Sequence, residues 1–376
     1  MGLNLNSEEC ILLYDNKLWD LDSKIDIFRY LNPINAEEEK EKFFKEYKLG
    51  NYYNPQFIYE KFDPEIGRFY EELLLIRNKF EICKDSLLAP YYIKNIDDLV
   101  LRTDLFRHRK DPEFGEKLSK LYGRPSSHLL KEAKQNITKL KYAQNDEENL
   151  TPDGENLTPN EVYEIFKAEM ENYGFKWNIK IHTRASANLS VNASLNEIKI
   201  NALKKFSEMK MRRYIYHEIR THVFRAENGK LQPFMIFKNG FPDYITTEEG
   251  LALFNENKYG LLSSEDVKRY SARVVAADYS LKHSFYEIFE KLEKHFPPSL
   301  AYSIVQRVKR GMSDTSLPGG YTKDMVYMDG FQKVSSFLKN NDSMEILYTG
   351  KIGLDDVDLT QELIDRGILS RPEYMP

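Results

Sequence analysis

Two histidines and a glutamate stand together at His217-Glu218-Ile219-Arg220-Thr221-His222. Neutral imidazoles bind a divalent metal, and a neighbouring carboxylate can take a proton from water beside it, so the hexad reads as a metal hydrolase signature with its own general base, Glu218. The spacing is unusual. In the common H-E-x-x-H pattern the histidines sit four apart, about 40° around a helix. Here they are five apart, about 140°, so a regular α-helix points His217 and His222 away from each other. A π-bulge, whose repeat is i→i+5, returns both to one face. The sequence therefore predicts a distorted helix along with a metal.

A third ligand is needed. Thr246-Thr247-Glu248-Glu249-Gly250-Leu251-Ala252 reads as a helix start, with a threonine cap and acidic first-turn residues. Such glutamates commonly just complement the helix dipole. After a two-histidine motif, Glu249 becomes the natural third ligand, and His217, His222 and Glu249 leave a fourth tetrahedral position for water.

The same residues carry a resemblance. His-Glu-Ile-x-Thr-His, Asn228-Gly229, Glu249-Gly250-Leu251-Ala252, and Gly319-Gly320-Tyr321-Thr322-Lys323-Asp324 with Tyr327 are similar to blocks of the family that contains QEGLA-motif proteins and microtubule-associated tyrosine carboxypeptidases. The resemblance spans roughly residues 115 to 376. It implies a gluzincin-like zinc carboxypeptidase with one Zn2+ per chain on His217, His222 and Glu249, Glu218 as base, and a C-terminal Tyr or Phe as the residue released. Two positions depart: Arg220 stands where relatives often carry glycine, and Glu248 replaces the glutamine of the motif's name.

A carboxypeptidase must also grip a terminal carboxylate, which suits the planar guanidinium best. The tract from Ile304 to Tyr327 offers Arg310 and Lys323 as the favoured cations and Arg307 as a third, beside a Gly319-Gly320 turn. Tyr321 and Tyr327 are candidate donors to a developing oxyanion; each is equally readable as a buried ring. Asp278 or Asp324 could orient an imbedded imidazole by accepting from its second nitrogen. The other histidines lie in unrelated contexts.

The elements that must position these residues are mostly helical. Residues 1–143 read as a helical N-terminal region, with amphipathic stretches at Ala36 to Tyr47, Pro64 to Cys83 and Ser126 to Leu140, and no catalytic cluster. Residues 144–158 form a polar hinge in which Glu-Asn-Leu-Thr-Pro occurs twice. Residues 159–376 read as the catalytic domain. It opens on a capping box at Thr158 and Glu161, then three short strands from Trp177, Leu189 and Glu197, then the histidine helix. One of the last two strands is expected to be an edge that takes an extended peptide by strand addition. Asn228-Gly229 reads as a left-handed helix stop, and Ser264 to about Phe296 as a long helical tract with a break near Ser280. The fold class is thus α+β, mostly helical, with a small sheet beside a distorted helix.

With 376 residues, a net charge of −5 and a pI near 5.9, the chain buries a substantial core and does not resemble a nucleic-acid binder. No apolar run is long enough for a membrane span, and the first residues lack the pattern of a signal peptide. Cys10 and Cys83 belong to no metal or redox motif, and a reducing, cytoplasmic setting is expected. The partner is a peptide or protein C-terminus; oligomeric state is unreadable. Two other classes remain open: a metal-dependent hydrolase of a different bond, and a non-enzymatic regulatory protein that keeps zinc for stability.

Overall fold

The computed structural model describes residues 8–25, 27–111, 113–140, 157–183, 188–341 and 343–376. Most of the hinge expected at 144–158 lies outside these residues. Before it come α1 (Glu9–Lys24), α2 (Ala36–Lys48), α3 (Ile66–Ile82), α4 (Ala89–Arg107), α5 (Phe114–Lys120) and α6 (Ser127–Lys139). After it come α7 (Pro159–Asn172), β1 (Asn178–His182), β2 (Leu189–Asn192), β3 (Glu197–Asn201) and α8 (Glu208–Tyr214). A π-helix, Ile215–Val223, links α8 to α9 (Phe224–Lys230). The chain continues through α10 (Ile236–Asn239), α11 (Tyr244–Lys258), α12 (Ser264–Ser280), α13 (Phe285–Leu292), α14 (Pro298–Val308), α15 (Val326–Asn340) and α16 (Val357–Asp365). The fold is α+β and mostly helical.

Local signals explain the entry to the C-terminal half. Thr158 caps α7 by accepting from the Glu161 amide at 3.3 Å, while Glu161 accepts from the Thr158 amide at 2.7 Å. The sheet has the order β1-β3-β2, β3 being parallel to β1 and antiparallel to β2. Of the last two strands β2 is therefore the edge, as expected of one of them. β2 packs toward the π-helix, and Asn188 at its start bonds the Tyr214 hydroxyl at 3.1 Å.

Among the described residues, three apolar cores hold the chain. One joins α1, α3, α4 and α5 to Phe234, Phe237 and Phe241, so the N-terminal helices pack on the C-terminal half. Asp15 fastens this joint: its buried carboxylate accepts from the Tyr92 hydroxyl (2.7 Å), the Trp19 indole (2.9 Å) and the Met235 amide (2.7 Å). Burial still raises the carboxyl above its usual range, and the three hydrogen bonds offset part of that penalty. The second core gathers α2, α6 and α12 to α14, with Phe43 among a cluster of rings. The third lies beneath the sheet, α7, the π-helix and α11. Cys10 and Cys83, given no mutual role by the sequence, are paired as a disulfide between α1 and the end of α3, with Cα atoms 5.7 Å apart.

Two expected boundaries differ. Asn228-Gly229 does not stop a helix: α9 runs through both to Lys230. Asn228 is instead buried and holds the C-terminal tail, taking the Glu373 and Tyr374 amides at 2.8 and 2.9 Å. Gly229 is there for space, since a Cβ would stand 2.3 Å from the Phe237 carbonyl oxygen. The second concerns α11, which begins at Tyr244, behind Asp243 in the left-handed region (φ 62°). Thr246 to Glu249 are thus helix interior, and the glutamates are free of a capping role.

Candidate metal centre and anion pocket

The π-helix solves the spacing problem. Its wider turn carries His217 and His222 onto one face, their rings 5.0 Å apart, centroid to centroid, and near-perpendicular. Side chains sustain the wide turn. Thr221 Oγ1 donates to the Tyr216 carbonyl five residues back at 2.9 Å, and Asn255, wholly buried, donates to Thr221 Oγ1 at 2.8 Å and the Tyr348 hydroxyl at 2.7 Å. Tyr348 in turn donates to the Arg220 carbonyl at 3.0 Å. The Arg220 side chain leaves the site, reaching Glu169 on α7 at 3.1 Å and stacking on Tyr216. Arginine is therefore compatible with the bulge.

α11 brings in the third group. One side-chain atom from each of His217, His222 and Glu249 lies within 4.8 Å of the others. Glu249 Oε2 stands 3.5 Å from His217 Nε2 and 3.7 Å from His222 Nε2, is buried, and has no hydrogen-bond partner among the described residues. A buried carboxylate oxygen left unpaired between two imidazole nitrogens is costly unless a cation completes it. The residues fit a zinc ion of the two-histidine, one-carboxylate kind.

Both imidazoles are aimed by carboxylates the sequence reading passed over. His217 Nδ1 meets Glu256 at 2.6 Å, and His222 Nδ1 meets Glu248 at 2.8 Å. These partners, rather than Asp278 or Asp324, fix which ring nitrogen faces inward. For Glu256 the spacing on α11 was the available signal, because it lies seven residues, about two helical turns, after Glu249, whereas Glu248 is the immediate neighbour of Glu249. Glu256 also takes Arg213 Nε at 2.7 Å, and Arg213 continues to Asp266 at 2.6 Å and the Tyr270 hydroxyl at 3.0 Å. Glu248 is not an incidental replacement: it is buried against Arg225, which is fully enclosed, and Lys351 Nζ at 2.9 Å. Despite burial, those two cations hold Glu248 well below the usual carboxylate range.

The electrostatics suit acid–base work. Burial raises the Glu218 carboxyl above its usual range, opposed by His217 and His222. Burial alone would lift Glu249 as well, but the close His217 imidazole and the charge of both rings take it down to about 2. Burial also works against the charged form of His217, and the Glu249 and Glu256 carboxylates outweigh it, raising that imidazole well above its ordinary value.

A tight helix crossing joins this centre to the other candidates. Gly250 and Gly330 let α11 and α15 touch: a Cβ on Gly250 would fall 2.2 Å from the Gly330 carbonyl carbon. Tyr327, one turn before Gly330, is thereby brought under the influence of Glu249, which with burial pushes its hydroxyl well up; Lys323 likewise helps hold Glu249 down. Arg307 and Arg310 gather on the buried Asp324, Arg307 through two hydrogen bonds and Arg310 at 3.5 Å. Tyr321 turns to another partner, the Tyr122 hydroxyl at 3.3 Å, with Arg310 over its ring. Arg273 of α12 joins the group and was missed from sequence, since nothing in α12's pattern separates it from a solvated helix face.

The family model for microtubule-associated tyrosine carboxypeptidases matches residues 41–376. A putative tyrosine carboxypeptidase, MATCAP2 of Mus musculus, is 25% identical over 364 residues, covering 94% of this chain and 59% of the relative. Human microtubule-associated tyrosine carboxypeptidase 1 is 27% identical over 237 residues, covering 59% of this chain and 48% of the relative. The chain thus spans roughly half to three-fifths of the length of these two relatives. With the family model running through the π-helix, the three α11 glutamates and the arginine cluster, the chain belongs to the microtubule-associated tyrosine carboxypeptidase family.

Proposed function

We propose that this protein is a zinc-dependent carboxypeptidase that removes a C-terminal residue, tyrosine or phenylalanine, from a peptide or protein. The observation that carries the reading is the unpaired Glu249 oxygen facing two imidazoles that are themselves aimed by carboxylates. His217, His222 and Glu249 hold the metal, in a gluzincin-like arrangement. When bound, zinc supplies Lewis-acid polarisation of the scissile carbonyl and makes water acidic enough to ionise near neutral pH. Glu218 takes the proton of the attacking water and delivers it to the leaving amine; its burial-raised pKa matches both duties. Tyr327, beside Glu249, donates toward the developing oxyanion, and the cations around Asp324 with Lys323 receive the terminal carboxylate. The free edge of β2 offers main-chain hydrogen bonds to the preceding substrate residues. The family's name, with its tyrosine carboxypeptidase activity, supports a protein C-terminus ending in tyrosine as the substrate. No described helix is long and apolar enough to cross a membrane.

The test compares wild type with Glu218→Gln on peptides ending in free or amidated tyrosine, with zinc quantified in both. One zinc per chain in each, and release of tyrosine by wild type alone from the free-ended peptide, is the expected result. Full activity in Glu218→Gln refutes the base. Cleavage of amidated peptides at internal bonds refutes carboxypeptidase action, and zinc without turnover favours a regulatory role.

A further inference from the structure

The arginines around Asp324 are unequal, and the inequality identifies the anion site. Three guanidinium groups, from Arg273, Arg307 and Arg310, converge on one buried carboxylate. Arg307 alone satisfies it, through both Nε and Nη2. Arg310 spends its Nε on the Arg307 carbonyl at 3.1 Å and leaves Nη2 3.5 Å from Asp324. Arg273 comes no nearer to Asp324 than 3.9 Å, and its Nε is buried without a hydrogen-bond partner.

Arginine does not shed its charge, so this group carries two positive charges more than Asp324 neutralises. Some of the excess rests on aromatic faces, with Arg273 4.9 Å from the Tyr270 ring centre and 5.4 Å from that of Tyr327. Uncompensated buried charge is destabilising, which marks such a cluster as built for a ligand rather than for the fold. The side chains also face a space that solvent reaches: Arg273 keeps 16% and Arg310 15% of its accessible surface although both are embedded among packed helices. Burial and repulsion from Arg307 act in the same direction on both, favouring capture of an anion.

We propose that Arg273 and Arg310, braced by the Arg307–Asp324 pair, form the clamp for the substrate's terminal carboxylate, with Tyr327 and Tyr270 as its aromatic wall. Arg307 is thereby removed from direct recognition and becomes a positioning residue. The proposal rests on the carboxypeptidase reading and narrows it to a subsite. Tyr270 ties the clamp to the metal centre, because its hydroxyl accepts from Arg213, which holds Glu256 against His217.

The experiment uses the zinc-loaded full chain carrying Glu218→Gln, titrated by calorimetry with an N-acetylated dipeptide ending in free tyrosine and with its amide. The background chain is expected to prefer the free carboxylate at least tenfold. Arg273→Gln in that background should collapse the ratio toward one with zinc content unchanged. Arg273→Lys, which retains charge and loses bidentate geometry, should fall between and decides the matter if the glutamine variant does not fold. A ratio that survives both substitutions overturns the clamp while leaving the carboxypeptidase reading intact. Absence of any preference in the background chain overturns that reading and the clamp together.

Discussion

Gly250→Ala isolates the contact on which the metal centre depends. On an ordinary helix the substitution stabilises by about 1 kcal/mol, because alanine is the better helix former. Here the added Cβ would lie 2.2 Å from the Gly330 carbonyl carbon, 2.3 Å from its oxygen and 2.6 Å from its Cα. Those atoms are backbone and cannot swing aside. Gly330 is itself wedged, since its own Cβ position lies 1.9 Å from the Thr246 carbonyl oxygen. Restoring van der Waals separation moves α11 from α15 by roughly 1 Å, an overpacking whose usual cost is about 1–3 kcal/mol and reaches its upper end against backbone. The penalty exceeds the propensity gain, leaving a net loss of about 2 kcal/mol. With an unfolding entropy near 2.1 cal/mol/K per residue, the metal-free midpoint should fall by about 3 °C. Because Glu249 precedes Gly250 directly, its carboxylate moves with the helix, and zinc affinity should drop at least about tenfold. Calorimetric unfolding of the chelated protein and zinc competition against a chromophoric chelator read the two effects separately. Gly67→Ala is the control: its Cβ would meet only Arg107 Nη2 at 3.7 Å, so it should be neutral or stabilising. An unchanged midpoint and unchanged zinc affinity in Gly250→Ala would refute the argument.

Further outcomes follow from the same geometry. Glu256→Gln keeps the size of the group on His217 Nδ1 but loses its charge toward Arg213, so zinc affinity should fall about 10–100-fold; affinity equal to wild type would show that Glu256 does not tune the ligand. Acid titration of stability should show two opposing carboxylates. Asp324, held far below its ordinary value by Arg307 and its neighbours against burial, gives stability that is present above about pH 3.8 and lost on further acidification. Asp22 is raised from 3.8 to about 6 by burial, with Arg102 opposing, so its contribution is full below 3.8 and lost as pH rises through 6. Asp22→Asn should therefore gain up to about 3 kcal/mol at pH 7 relative to wild type and little at pH 4. Equal gains at both pH values in urea unfolding would remove Asp22 as the source.

The linear sequence by itself determined which three side chains meet at the centre and the need for an unusual helix. Five-residue histidine spacing has one economical solution on a helix, and the π-turn from Ile215 to Val223 supplies it. Short-range rules also carried the α7 capping box, the three strand segments and the break after Ser280, because caps, alternation and helix ends depend on neighbours a few residues away. Tertiary structure decided what those rules do not reach. Glu248 and Glu256 became imidazole partners only when α11 crossed the π-helix, and Gly250 mattered only once Gly330 lay against it. Asn228-Gly229 looked like a stop because that pair tolerates left-handed backbone, yet packing against Phe237 and the C-terminal tail kept it helical. Arg273 stayed invisible for a related reason. Its charge looks like any solvated arginine's until α12, α14 and the turn at Asp324 enclose it, and enclosure is a property of the packed chain rather than of any window along it.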